Sequence, residues 1–205
     1  MNDVKPPKVS LITTKVAAGH PTIAIRATDG QSGVDPFSIV FGYGQQLVGA
    51  AAFDSRSGTV LIPLPSAASR LNAGRPKVAF LVSDNQESKN VNTIGANALP
   101  NTTIKTATLA VVNGPAVTWI VPESSACATR SQPLGVLASD TAKIKGVTFL
   151  DGTKKIATDT TGNADIYSTA WKTGKAARGR HVLHAVVVDG SGRRATATRV
   201  VRVCS

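Results

Sequence analysis

The sequence predicts an all-β chain folded as two tandem sandwiches of about seven short strands each. Three observations predict it. Short runs rich in Val, Ile, Leu and Thr recur along all 205 residues, broken by Gly, Asn, Asp and Ser; this is the pattern of pleated strands joined by tight turns. No segment keeps a helical period long enough for a bundle or for the crossovers of a parallel sheet. A set of patterns also recurs in the same order about 105–111 residues apart, the mark of a duplicated unit.

The repeat has four anchors. Pro7-Lys8-Val9 and Pro115-Ala116-Val117 each open an apolar strand. Ala27-Thr28-Asp29 matches Ala138-Ser139-Asp140, and Ile39 to Gly44 matches Val147 to Gly152, aligning Phe41 with Phe149 and Gly44 with Gly152. Gly74 to Asp84 matches Gly179 to Asp189. These place one unit over residues 1–113 and the other over 114–205, divided near Asn113-Gly114-Pro115.

Strands are expected near 8–14, 22–28, 36–43, 46–53, 58–63, 76–83 and 102–112 in the first unit. In the second they are expected near 116–121, 133–138, 144–150, 154–158, 164–170, 180–188 and 194–203. Ser66 to Ala73 reads as one helical turn capped by Gly74. About seven strands per hundred residues is the pattern of an immunoglobulin-like β-sandwich. The segment Asn85–Asn101, between the last two strands of the first unit, reads either as a ligand loop or as an extra edge strand over Val91–Ile94.

The second unit also resembles bacterial Ig-like domains of the cadherin and fibronectin type III sort, found as tandem repeats in secreted or surface proteins. The resemblance rests on Pro115-x-Val117, Ala138-x-Asp140, Val147-x-Phe149-x-x-Gly152, Trp171-x-Thr173 and the run from Gly179 through Leu183, Ala185, Val187 and Asp189 to Gly192. The first unit carries the same outline more weakly and has no matching Trp. The resemblance implies a spacer, an adhesive unit or an accessory to a catalytic domain; such a fold specifies function poorly.

Composition bounds the rest. Apolar residues make up 42% of the chain, too many for wholesale disorder, while aromatics are only 4%, so the cores must be built of Val, Ile, Leu and Ala. No run approaches the roughly 20 apolar residues of a membrane-spanning helix. Met1 to Pro7 lacks the apolar stretch of a signal peptide, and Met1 reads as a start placed at a unit boundary of something longer. Cys127 precedes the second strand of its unit and Cys204 ends the last, so both fall near one pole. A disulfide between them is plausible and would point outside the cytoplasm; two free buried thiols are the alternative.

The net charge of +11 is uneven: residues 1–113 carry 10 basic and 6 acidic groups, residues 114–205 carry 13 and 6. The candidate ligand-binding residues are therefore basic ones of the second unit. Lys172, Lys175, Arg178 and Arg180 lie in the loop entering the sixth strand, Lys143, Lys145, Lys154 and Lys155 flank a hairpin, and Arg193 and Arg194 sit in the last turn. Together they would form a positive patch for cell-wall glycan or another polyanion. Edge lysines that block sheet-to-sheet pairing explain the same residues without a ligand. Nucleic acid is not the expected partner, because no aromatic platform accompanies the charge.

No catalytic residues are expected: GxSxG, HExxH and phosphate-cradling glycine motifs are absent. His181 and His184 have opposite strand parity and cannot easily share a metal; His181 reads as a strand-end packing residue and His184 as solvent-facing. Asp29 and Asp35, with Asp84 and Glu87 nearby, would supply oxygen ligands for calcium, though Asx turns account for the same carboxylates. The expected protein is a monomeric, extracellular or surface module without cofactor or small-molecule substrate. Its role is that of a spacer or adhesion module, a polyanion- or glycan-binding module, or an accessory domain of a secreted hydrolase.

Overall fold

The computed structural model describes residues 3–85 and 100–204, and of Lys175 the backbone alone. Most of the Asn85–Asn101 segment therefore lies outside the described residues. Its strands in chain order are β1 (Lys8–Leu11), β2 (Lys15–Ala17), β3 (Thr22–Thr28), β4 (Val40–Tyr43), β5 (Gln46–Gly49), β6 (Ala52–Asp54), β7 (Thr59–Pro63), β8 (Lys77–Ser83), β9 (Thr102–Thr108) and β10 (Ala110–Val112). They continue as β11 (Ala116–Val121), β12 (Ser131–Ser139), β13 (Ile144–Asp151), β14 (Lys154–Asp159), β15 (Ile166–Lys172), β16 (Gly179–Asp189) and β17 (Arg194–Val203). The fold is all-β and Ig-like. Contacts divide it into one unit of Met1–Ile12, Ile23–Ser69 and Arg75–Leu109, and another of Thr13–Thr22, Arg70–Gly74 and Ala110–Ser205.

The first unit holds two four-stranded sheets, ordered β1-β3-β7-β6 and β5-β4-β8-β9. Period-two alternation puts Val78, Phe80 and Val82 of β8 inward and Lys77 and Leu81 outward. Phe41 stands opposite Phe80 in the register of β4 and β8, their ring centroids 5.5 Å apart. Ile23, Ile25, Val60 and Ile62 are fully buried on the other sheet.

Three local expectations are corrected. Pro36–Ser38 is a 3₁₀ turn rather than strand, because Asp35 caps it by accepting from the Phe37 amide. The run 46–53 divides, β5 joining one sheet and β6 the other; the Ala50 amide donates to Ile39 and the Ala51 amide to Leu61, so the chain changes sheets at two small residues. Residues 66–73 do not form a helical turn. Leu71 exchanges backbone bonds with Gly19, and Gly74 with Val111, so their backbone groups are satisfied across the chain rather than locally.

Gly58 shows how tightly β3 is approached. Its φ is +68°, its carbonyl accepts from the Ala27 amide, and a Cβ there would stand 2.5 Å from the Ala27 carbonyl oxygen. Gly58→Ala is expected to destabilise the first unit by about 2 kcal/mol, combining left-handed strain with the displacement of β3. Urea unfolding measures it, and a loss within error of zero would show that β3 yields freely.

The second unit has a three-stranded sheet, β11-β12-β15, and a four-stranded sheet, β14-β13-β16-β17, with a parallel β2–β10 pair beside them. The inward faces share one core of Trp119, Leu134, Val136, Val147, Phe149, Trp171, Leu183, Ala185 and Val187 among others. Cys127 and Cys204 form a disulfide that ties the segment before β12 to the end of β17.

Candidate functional site at one end of the second unit

Antiparallel pairing decides which basic residues meet. Lys154 at the start of β14 lies opposite Asp151 at the end of β13, and Lys172 at the end of β15 lies opposite Ser131 at the start of β12. Gly179 at the start of β16 lies opposite Val203 at the end of β17. One end of the sandwich thus gathers the 151–154 hairpin, the Thr173–Lys175 3₁₀ turn and the disulfide. Lys154, Lys155, Lys172, Arg178 and Arg180 are exposed there. Sequence reading missed two more exposed groups at this end, Arg130 and Arg202. Arg202 stands directly opposite Arg180, a like-charge cross-strand pair that opposes folding.

Lys143, Lys145, Arg193 and Arg194 belong to the opposite end, where Ile144 pairs with Asp189 and Val188 with Arg194. The length of β13 separates the groups by about 23 Å at 3.3 Å per residue. Arg193 is also committed to the fold: its guanidinium donates to Asp189 at 2.6 Å, to Asp140 at 3.1 Å and to the Asn113 carbonyl at 2.7 Å.

Asp189 is fully buried and accepts from the amides of Ser191 and Arg193, each at 2.8 Å, which closes the turn into β17. Burial pushes its pKa up, but the Arg193 guanidinium and the turn amides outweigh that and hold it at about 2. A depressed carboxylate pKa contributes stability above the unfolded value near 4 and loses it as pH falls towards 2. The second unit should therefore weaken progressively between about pH 4 and pH 2. Asp189→Asn should flatten that part of the profile in urea titrations at stepped pH; an unchanged acid limb would assign the loss to other carboxylates.

At the basic end, Lys154, Lys155 and Lys172 line a cleft of about 210 Å³ together with Ile156, Ala170, Trp171 and Ala176. Lys172 Nζ donates to Ser131 Oγ at 3.2 Å. Asp151 also lines the cleft, but His181 Nδ1 holds its carboxylate at 2.8 Å. His181 Nε2 lies 2.6 Å from the Ala177 carbonyl. Both ring nitrogens thus face acceptors, which suits an imidazolium donating twice. Burial pulls the His181 pKa down; the Ala177 carbonyl and Asp151 overcome this and hold it above the ordinary histidine value. Its stabilising contribution is accordingly present below that ordinary value and lost as pH rises through the elevated one. The His181 ring meets Trp171 edge-on, centroids 5.2 Å apart, so it packs at the strand end as expected. His184 is half-buried on the other face, 3.3 Å from Thr198 Oγ1.

The calcium candidates are engaged in turns. Asp29 Oδ1 accepts from the amides of Gln31 and Gly33, both at 2.9 Å, and Asp35 Oδ1 from Phe37 at 2.9 Å. Asp84 accepts from the Asn101 amide and side chain, and Glu87 lies outside the described residues. Among the described residues no three His, Cys, Asp or Glu side chains are grouped to hold a metal ion, and no helix is long and apolar enough to cross a membrane.

Residues 115–185 match the family described as bacterial Ig domain. That span runs from the start of β11 into β16 and contains Trp119, Phe149, Trp171 and the 151–154 hairpin. No curated protein matches the chain. Among solved structures, the fibronectin(III)-like modules of Clostridium thermocellum CbhA are 26% identical over 43% of this chain and 96% of theirs, with a TM-score of 0.39. Dimeric latent PorU of Porphyromonas gingivalis is 13% identical over 98% of this chain, with a TM-score of 0.55, a likeness of fold. The chain spans 20% of the PorU chain. The N-terminal Ig1-2 module of the Drosophila receptor protein tyrosine phosphatase DLAR is 10% identical over 98% of this chain and all of that one, with a TM-score of 0.35.

Proposed function

We propose that the chain is a non-catalytic module of a larger secreted or surface-exposed bacterial protein, built from tandem Ig-like repeats over residues 1–113 and 114–205, of which Thr13–Thr22, Arg70–Gly74 and the residues from Ala110 on pack with the second. It serves as a spacer or adhesive unit outside the cell. The observation that carries the reading is the Ig-like all-β fold, with residues 115–185 matching the family described as bacterial Ig domain. A general base needs a free ring nitrogen aimed at a hydroxyl or a water, and His181 Nε2 is instead closed by the Ala177 carbonyl. The His181–Asp151 pair works as a structural clamp. The Cys127–Cys204 bond supports the extracellular placement, since reducing compartments do not sustain such bonds. Protease treatment of intact cells of the source bacterium tests it: loss of the module from the cell surface is expected, and full protection until lysis would overturn the reading.

The gathering of exposed Arg and Lys side chains at one end of the second unit favours a second reading within the first, that this unit adheres to a polyanionic glycan. On that reading the end opposite, with Arg193 locked in place, contributes little.

A further inference from the structure

We propose that the cleft lined by Lys154, Lys155 and Lys172 is the subsite that takes one acidic sugar residue of such a glycan, its carboxylate or sulfate held by the three ammonium groups. The inference rests on the polyanion reading of the second unit and names the place and the chemistry.

Size is the first argument. A cleft of about 210 Å³ is below the range that holds drug-sized ligands and suits a single ring of a polymer whose remainder lies in solvent. Its chemistry is divided as a sugar's is. Ile156 and Ala170 offer apolar surface to the C–H face of a pyranose, while the exposed lysines line the same cleft and would meet an anionic substituent.

Charge is the second argument. Asp151 would repel an anion at this position, yet its carboxylate is bonded to His181 through both oxygens, at 2.8 and 3.0 Å. Lys172 is bonded to a neutral hydroxyl. The cleft therefore keeps a positive excess, and Arg180 on β16 and Arg202 on β17 extend the charge at the same end of the sheet beyond β13, despite their mutual repulsion. A polymer of acidic sugars meets both the cleft and this extension.

The third argument separates glycan from single-stranded nucleic acid. Binding of unpaired bases relies on an open aromatic face on which they stack. Trp171 is 5% exposed and His181 packs against it edge-on, so no such face is offered.

The test titrates the whole chain, at low and at high salt, with an oligogalacturonate, a heparin oligosaccharide and a short DNA duplex, by calorimetry and by the indole N–H resonance of Trp171. Two triple variants with equal loss of charge are compared, Lys154→Ala/Lys155→Ala/Lys172→Ala and Lys143→Ala/Lys145→Ala/Arg194→Ala. All six side chains are exposed, so unchanged melting verifies the fold. We expect salt-sensitive binding of at least one oligosaccharide that shifts the Trp171 resonance. The first triple should weaken it about tenfold or more and the second hardly at all, because charge-assisted contacts are lost only in the first. Binding of the oligogalacturonate shows that a carboxylate suffices, and binding of heparin alone shows that sulfate is required. Wild-type protein that binds no oligosaccharide overturns the polyanion reading itself. Binding lost equally in both triples leaves that reading standing and overturns the cleft. Tighter binding of the duplex than of either sugar overturns the inference in favour of nucleic acid.

Discussion

Replacing Cys127 and Cys204 together by serine is expected to lower the stability of the second unit by about 4 kcal/mol. The bond joins residues 77 apart in sequence, and in the chain-entropy account the gain comes from the conformations that a closed loop denies the unfolded chain. The restraint acts where β17 is an edge strand of its sheet, and the disulfide anchors its end. Backbone bonds nearby reinforce the same anchor, with the Ser125 amide donating to Val200, Ala128 to Arg202, and Arg202 in turn to Ala126. Urea denaturation of oxidised protein, reduced protein and the double variant measures the effect. Reduced protein and the variant should coincide, with midpoints well below that of the oxidised protein. A loss under about 1 kcal/mol would mean that these backbone bonds already hold β17 and that the disulfide constrains little. A large loss links stability to compartment, since the same chain in a reducing cytosol would be the weakened form.

What was legible in the sequence was local. Gly44 and Gly152 were aligned by the repeat, and both open two-residue hairpin turns, with φ of +55° and +56°; turn positions of that kind favour glycine for a reason visible in the residue itself. Phe41 and Phe149, likewise aligned, are both fully buried. Leu183, Ala185 and Val187, alternate residues of one run in the sequence, are all fully buried on one face of β16. What was not legible depended on pairing between distant strands. Lys143 and Lys154 flank one hairpin in sequence, yet the length of β13 holds them apart, while Arg130 and Arg202, far apart in sequence, come to one end. Arg193 looked like a free cation until the fold placed Asp189, Asp140 and the Asn113 carbonyl around it. The change of sheet at Ala50–Ala51 left no sign beyond a run of small residues, because the partners that fix it, Ile39 and Leu61, lie on other strands.

Trp119→Ala should be the most damaging substitution in the core of the second unit, at about 3–5 kcal/mol. Trp119 is 2% exposed and belongs to β11, in the three-stranded sheet. Its indole N–H donates to the Ala197 carbonyl of β17 at 3.1 Å, and its ring meets Phe149 of β13 edge-on at 5.8 Å. One side chain thus joins the two sheets by both packing and a hydrogen bond. In a chain so poor in aromatics, little else in this core has the volume to refill the cavity. Trp119→Phe separates the two contributions. It keeps most of the apolar volume and leaves the Ala197 carbonyl without its indole donor, so a loss of roughly 1–3 kcal/mol is expected. A cycle combining Trp119→Phe with Phe149→Leu should show little further coupling if the ring contact survives the first change. Circular dichroism in urea reads all of these. Should Trp119→Ala cost under about 1 kcal/mol with an unchanged denaturant slope, the sheets would be held by the aliphatic layer of Leu134, Val136, Val147 and Leu183, and the joining role assigned to Trp119 would be wrong.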